Sequence, residues 1–196
     1  LAFERRAAER SAANVFVTRG EADLFLRLAP GLERSVHVIE NGVNADYFAP
    51  HAERPSPYAA NEAPIVFTGA MDYWPNIDAV TWFSSEAMPH ILAVRPDARF
   101  YIVGMNPAPA VKALRSRSGV VVTGTVPDVR PYVQHAAAVV APLRVARGIQ
   151  NKILEAMAMA RPVVISSAAS PGVSGVPGRE YEIADSVAEF ARKVLA

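Results

Sequence analysis

The chain has 196 residues, 51% of them hydrophobic and 20% charged, with a formal net charge of +1 and no cysteine. That length supports one good core and the remnant of a second, and interspersed charges leave no basic stripe for nucleic acid. The lack of cysteine excludes disulfides and thiolate metal centres and is compatible with a reducing cytoplasm.

No run of about 18 apolar residues is present, and no signal-peptide pattern opens the chain. His37, His51, His90 and His135 are scattered without metal-ligand spacing, so no metal is expected. The first residue is Leu rather than Met, and the last stretch stops inside a helical pattern. Both ends therefore read as cut, and the chain as a piece of a longer protein.

In chain order, Leu1–Ala13 reads as an exposed helix and Asn14–Thr18 as a short buried strand. Glu21–Ala29 reads as a helix with Leu24, Phe25 and Leu28 on its apolar side. Val36–Ile39 is another strand, followed by the Asn41-Gly42 turn signal. Residues 46–64 hold Pro50, Pro55, Pro57 and Pro64 with little periodicity, which predicts a linker crossing the surface.

From Ile65 the pattern becomes regular. Ile65–Phe67, Phe100–Val103, Val120–Val122, Ala138–Ala141 and Pro162–Ile165 are continuous apolar runs. Between them lie helical patterns at about Asn76–Val94, Ala108–Arg117, Val129–His135 and Ile149–Ala160, and a last helix starts at Asp185 after a Gly- and Ser-rich turn. Five such strands alternating with helices predict a parallel sheet covered on both faces, a doubly wound, Rossmann-like α/β domain. Trp82, Phe83, Met157 and Met159 read as helix packing residues.

Gly104 directly follows its strand, and Gly69 and Gly124 follow theirs after one more residue. Ligands of open parallel sheets bind beyond the carboxyl ends of the strands. Each glycine alone reads equally well as a plain strand-to-helix turn. Three along one edge, beside a Gly148 loop, point to a crevice. Val126 in the Gly124–Asp128 loop would frame one end of it. Tyr73 and Trp74 sit in a loop at the same edge, as wall candidates. Asn76 reads as a helix N-cap or as a ligand contact.

The stretch from Arg147 to Val164 carries most information. It reads as a polar loop, a helix and a buried strand. Gly148 allows close backbone approach, and the unpaired N–H groups of the first turn, with the helix dipole behind them, seat phosphate. Gly148, Ile149, Gln150 and Asn151 form that seat. Lys152 lies one turn in and Glu155 three residues further, on the face of Gly148 and off the apolar face of Ile149, Ile153, Met157 and Ala160. By spacing alone they equally make an exposed pair contributing only about 0.3–0.5 kcal/mol. A cation at a diphosphate with a carboxylate beyond it suits a nucleotide sugar. Arg144 and Arg147 precede the loop, placed either to clamp phosphate or to face water. No Gly-x-Gly-x-x-Gly follows the Ile65–Phe67 strand, where Gly69-Ala70-Met71-Asp72 stands, and no Gly-x4-Gly-Lys-Ser/Thr occurs. Both absences speak against a dinucleotide-dependent dehydrogenase and a P-loop enzyme.

Three stretches carry a family resemblance: Val38–Pro50, with Asn41-Gly42-Val43 at its centre; Phe67–Asn76, reading Gly-x-Met followed by Pro-Asn; and Gly148–Val164, with its Leu-Glu-Ala-Met-Ala helix. Together they resemble the carboxyl-terminal half of a GT-B-fold glycosyltransferase of the retaining family 4 group, nearest to a bacterial subgroup linked to exopolysaccharide production. The resemblance implies residues 1–40 as the end of the acceptor domain, 41–63 as the interdomain linker and 64–196 as a nucleotide-sugar donor domain lacking its final crossing helix. It implies that Glu155 contacts the donor ribose, as the second acid of the family's Glu-x7-Glu pair. Arg147 stands where the first acid belongs, Ala70 where Arg follows Gly69, and Pro75 and Asn76 where a lysine is usual. Lys152 and Arg147 would then supply the phosphate-neutralising charge. Partners implied are the nucleotide-sugar donor and a saccharide or lipid-linked acceptor reached through the preceding domain. The resemblance further implies a cytoplasmic location, with peripheral membrane association of the full-length protein, and no cofactor. A nucleotide-sugar epimerase of the same architecture and a non-catalytic carbohydrate- or nucleotide-binding homologue remain open alternatives at this level.

Overall fold

The computed structural model describes residues 2–196, so Leu1, the first residue of the expected amino-terminal helix, lies outside the described residues. The chain opens with helix α1 (Ala2–Glu9), strand β1 (Asn14–Phe16), helix α2 (Arg19–Leu28) and strand β2 (Val36–Val38). β1 and β2 pair in parallel as a separate two-stranded sheet. α2 starts two residues earlier than the apolar pattern suggests because Thr18 caps it, its hydroxyl oxygen accepting the Glu21 N–H at 3.2 Å.

The proline-rich stretch is pinned rather than merely laid over the surface. The Gln134 side chain accepts the His51 N–H at 2.9 Å and donates back to the His51 carbonyl at 2.8 Å. The Tyr58 hydroxyl donates to the Tyr132 carbonyl at 2.6 Å, and its ring meets Tyr101 edge-on at 4.6 Å. Pro64, expected in the linker, lies inside strand β3 (Ala63–Thr68). The neighbouring strand begins opposite Ile65, so the N–H that Pro64 lacks removes no ladder bond.

Beyond β3 the elements are α3 (Trp74–Trp82), α4 (Met88–Val94), β4 (Ala98–Val103), α5 (Pro109–Ala113), β5 (Val120–Gly124), α6 (Arg130–Gln134), β6 (Ala138–Ala141), α7 (Asn151–Ala158), β7 (Val163–Ile165), β8 (Glu182–Ile183) and α8 (Val187–Leu195). α3 and α4 are continuous through one π-turn, Phe83–Ala87, in which the Met88 N–H reaches the Phe83 carbonyl. Pro89 explains it: the ring has no N–H and excludes the ordinary i→i−4 geometry just upstream.

β3 to β8 form one parallel sheet in the order β5-β4-β3-β6-β7-β8. All six residues of β3 are buried, as a strand covered on both faces requires. The sheet has one more strand than the apolar runs predict, because β8 is only two residues long and carries Glu182. Phe67, Phe83, Phe100, Phe190, Ile102, Ile153 and Ile165 are fully buried at its centre, with the Phe83 and Phe100 rings 4.6 Å apart. These contacts fix the relative height of the strand ends, and hence of the edge where the glycines sit.

α7 is shorter at both ends than its sequence pattern. Gly148, at φ +65°, turns the chain, and extended Gln150 is the N-cap, so Ile149 is buried from a loop rather than from the helix. At the other end the Ala160 N–H bonds the Met157 carbonyl at 2.9 Å and the Arg161 N–H bonds the Ala156 carbonyl at 3.0 Å. This is a Schellman stop. Its left-handed position is Ala160, at φ +51°, which is therefore exposed and outside the apolar face assigned to it.

Candidate active site

The carboxyl ends of β3 and β4 close on each other through two glycines. A Cβ on Gly104 would lie 1.6 Å from the Gly69 carbonyl oxygen, so no other residue fits there. The Gly69 N–H bonds the Val103 carbonyl at 3.1 Å, and the Gly104 N–H bonds the Gly124 carbonyl at 3.2 Å, which ties the three strand ends together. Above this floor is a cavity of about 450 Å³. Its lining comes from Thr68, Gly69 and Ala70 at the end of β3, Val103, Gly104 and Met105 at the end of β4, Thr125, Val126 and Val129 after β5, and Ile149, Asn151, Lys152 and Glu155 in and just before the first turns of α7.

Lys152 is the electrostatic centre of the cavity. Its Nζ donates to Asn76 Oδ1 at 2.8 Å and lies 4.0 Å from the centre of the Phe67 ring. Among the described residues none of the ion pairs closer than 4 Å includes Lys152. Burial pushes its ammonium down to about 7, with the nearby Glu155 charge working in the other direction. Burial likewise raises Glu155 above the usual carboxylate range, against the pull of Lys152. The exposed ion pair that spacing alone allowed is therefore not what forms. The two side chains stand half-buried on one wall of an open cavity. Of the first-turn N–H groups of α7 beside them, that of Ile153 bonds the Gln150 carbonyl at 2.9 Å, while those of Asn151 and Lys152 lack intrahelical acceptors.

Asn76 is not a cap. α3 is capped by extended Tyr73 without a side-chain bond, and Pro75 occupies its first turn. Asn76 sits inside the helix, almost fully buried, donating its amide to the Ala70 carbonyl at 2.9 Å and accepting from Lys152. It is not itself a lining residue but holds two that are, Ala70 and Lys152.

Of the residues singled out by sequence, Gly69, Gly104, Val126, Ile149, Asn151, Lys152 and Glu155 line the cavity. Gly148 precedes the lining residue Ile149 at the lip. Gln150 is the N-cap of α7, and its side chain folds back onto the Arg147 carbonyl at 3.1 Å. Gly148, Gln150 and Asn76 are outside the lining, and so are four more. Gly124 shapes the edge through its bond to Gly104. Trp74 starts α3 and, like Tyr73, is more than half exposed, so neither walls the cavity. Arg144 is engaged in a two-pronged pair with Asp78 on α3, which turns its guanidinium away from phosphate duty. Arg147 is exposed beside the lip and enters no ion pair among the described residues. Of the lining residues that sequence reading missed, Thr68, Ala70, Val103, Met105 and Thr125 flank the three strand-end glycines, and that adjacency was the available signal; Val129, just before α6, carried none. Among the described residues no group of three or more His, Cys, Asp or Glu side chains is arranged to hold a metal ion.

An all-parallel doubly wound sheet with a cavity beyond its strand ends, closed on one side by a loop–helix of this kind, is the fold of the carboxyl-terminal half of a GT-B glycosyltransferase. The chain belongs to the glycosyl transferases group 1 family, whose model matches residues 62–196. No curated protein matches the sequence. Among solved structures the chain is similar to TarM of S. aureus (TM-score 0.77, 14% identity, 99% of this chain and 38% of that one). It is similar to Anabaena Alr3699/HepE in complex with UDP-glucose (TM-score 0.75, 16% identity, 99% of this chain and 56% of that one). It is also similar to sucrose-phosphate synthase from Thermosynechococcus elongatus (TM-score 0.73, 18% identity, 99% of this chain and 51% of that one). The chain thus spans 38–56% of the length of these relatives.

Proposed function

We propose that the cavity binds a nucleotide-diphosphate sugar, and that the protein of which this chain is the donor half transfers that sugar with retention to an acceptor hydroxyl. The observation that carries the reading is the placement of Lys152 and Glu155 on one wall of the cavity, the ammonium desolvated and, among the described residues, in no ion pair closer than 4 Å. A desolvated cation in that state is stabilised by an arriving anion. The α7 N-terminus beside it offers backbone donors for phosphate oxygens. Lys152 then neutralises charge growing on the departing diphosphate, a contribution of the preorganised electrostatic kind. Glu155 accepts hydrogen bonds from ribose hydroxyls, each contributing about 1.5–3 kcal/mol when the acceptor is charged. Arg147, free at the lip, lends a second positive charge; Arg144, held by Asp78, does not. The Alr3699/HepE complex with UDP-glucose makes a uridine nucleotide the first donor to test.

In this reading residues 1–40 are the end of the acceptor-binding half, 41–63 the linker and 64–196 the donor domain. The acceptor is a saccharide or lipid-linked hydroxyl presented by the preceding half, in bacterial glycan or exopolysaccharide synthesis. The reaction is metal-independent, and the protein works in the cytoplasm, with the full-length form at the membrane's inner face. Product analysis on the full-length protein with UDP-sugars tests the function. Formation of a glycoside with the donor's anomeric configuration supports it. Release of an epimerised free sugar, or no turnover with bound nucleotide, overturns it.

A further inference from the structure

Asn151 is the first residue of α7 and lines the cavity. Its side chain is engaged at one end. Oδ1 accepts the Asn41 amide at 3.1 Å, across 110 residues of sequence. Among the described residues its Nδ2 donates to no group. Asn41 belongs to the turn between β2 and the proline-rich stretch. The chain is held on both sides of that turn: the Ile39 N–H donates to the Phe16 carbonyl at 2.9 Å, and the Tyr47 N–H to Asn44 Oδ1 at 2.9 Å. Residues 40–43 enter no other hydrogen bond or ion pair among the described residues, and a Cβ on Gly42 would meet nothing within 4 Å. The turn is thus not packed in place, and its polar tie runs to the cavity wall.

The direction of the bond decides what the cavity is offered. An amide side chain has one acceptor end and one donor end. Asn41 donates, so it takes the acceptor end of Asn151 and leaves the donor end for a ligand. The neighbouring groups have the same sense: the N–H groups of Asn151 and Lys152 lack helical acceptors, and the Lys152 ammonium stands on the same wall. A reversed amide would set a partially negative oxygen among these donors, opposing an anion.

We propose that Asn41 is a positioning residue for the phosphate seat: by donating to Asn151 Oδ1 it fixes the Asn151 amide so that Nδ2 donates to a phosphate oxygen of the bound nucleotide. This rests on the donor-site reading above and adds a side-chain donor to it. Asn41 lies outside residues 62–196, the part that the family model matches. The seat is therefore completed by a turn that precedes the donor domain, and a displacement of that turn releases the Asn151 amide and weakens phosphate binding.

The test is an NMR titration of this chain with UDP, on wild type, Asn41→Ala and Asn41→Asp, following the side-chain amide signals of Asn151, which are assigned by their loss in Asn151→Ala. Thermal melting confirms that the variants fold. In wild type the Asn151 Nδ2–H signals are expected to move as UDP saturates the chain. UDP affinity is expected to fall about three- to fivefold in Asn41→Ala and about tenfold or more in Asn41→Asp, whose carboxylate accepts from Nδ2 and draws it off the ligand. Affinity of Asn41→Ala within about twofold of wild type overturns the proposal while leaving the donor site intact. So do Asn151 side-chain signals that stay in place as UDP binds, the outcome of a merely structural role for Asn41. Wild-type chain that binds no UDP overturns the donor-site reading and this one with it.

Discussion

Lys152 and Asn76 hold each other at the cavity wall, Nζ donating to Oδ1 at 2.8 Å across 76 residues of sequence. The other end of the Asn76 amide is fixed on the Ala70 carbonyl at 2.9 Å. The lysine therefore cannot leave for solvent without breaking a partly buried bond to α3, and it lies 4.0 Å from the Phe67 ring centre. Removing the amide leaves both the Ala70 carbonyl and the ammonium unsatisfied. Asn76→Ala is expected to cost about 1–3 kcal/mol in chemical denaturation. An unchanged midpoint would show that the bond does not order the site.

The lysine also makes stability depend on pH. Burial lowers its folded-state value from 10.5 to about 7. Below pH 7 it is charged in both states and the folded protein carries the full cost of the buried charge. Between pH 7 and 10.5 the unfolded chain binds the extra proton, so stability rises with pH, by at most about 1.4 kcal/mol per unit. Lys152→Met removes this dependence. Its stability relative to wild type is expected to be most favourable below pH 7 and to fall steadily toward pH 10, read from denaturation midpoints across that range. A difference independent of pH would mean that the ammonium is solvated.

Ala160 ends α7 in a left-handed conformation that glycine adopts without steric cost. Ala160→Gly is expected to stabilise the protein by about 0.5–1 kcal/mol, relief of Cβ strain exceeding the added chain entropy. Thermal melting checks it, and a lower melting temperature would contradict the assigned stop.

Gly104→Ala tests the cavity floor. The added methyl meets the Gly69 carbonyl oxygen, so the strand ends must separate. Destabilisation of roughly 3 kcal/mol or more is expected, with loss of nucleotide binding in whatever folds. Full stability and binding would show that the two ends move apart freely.

The parallel sheet was legible because its central strands are long apolar runs, Ile65–Phe67 and Ala138–Ala141 among them, that only burial on both faces accommodates. β8 was not, because two residues containing Glu182 carry no periodicity and the pairing is supplied by β7. In the site, Lys152 and Glu155 were legible from helical spacing next to Gly148. The displaced residues were decided by partners far away in sequence. Arg144 finds Asp78, and Asn76 turns inward to Ala70 and Lys152. Neither pairing leaves a trace in local pattern.

The central claim is that this cavity seats a nucleoside diphosphate between the α7 N-terminus, Lys152 and Glu155. Calorimetric titration of the chain with a panel of nucleoside diphosphates, on wild type and Glu155→Ala, tests it most directly. A dissociation constant between about millimolar and tens of micromolar is predicted for wild type, with affinity about tenfold or more weaker in Glu155→Ala. Equal, unmeasurable binding of every nucleotide to both proteins would contradict it.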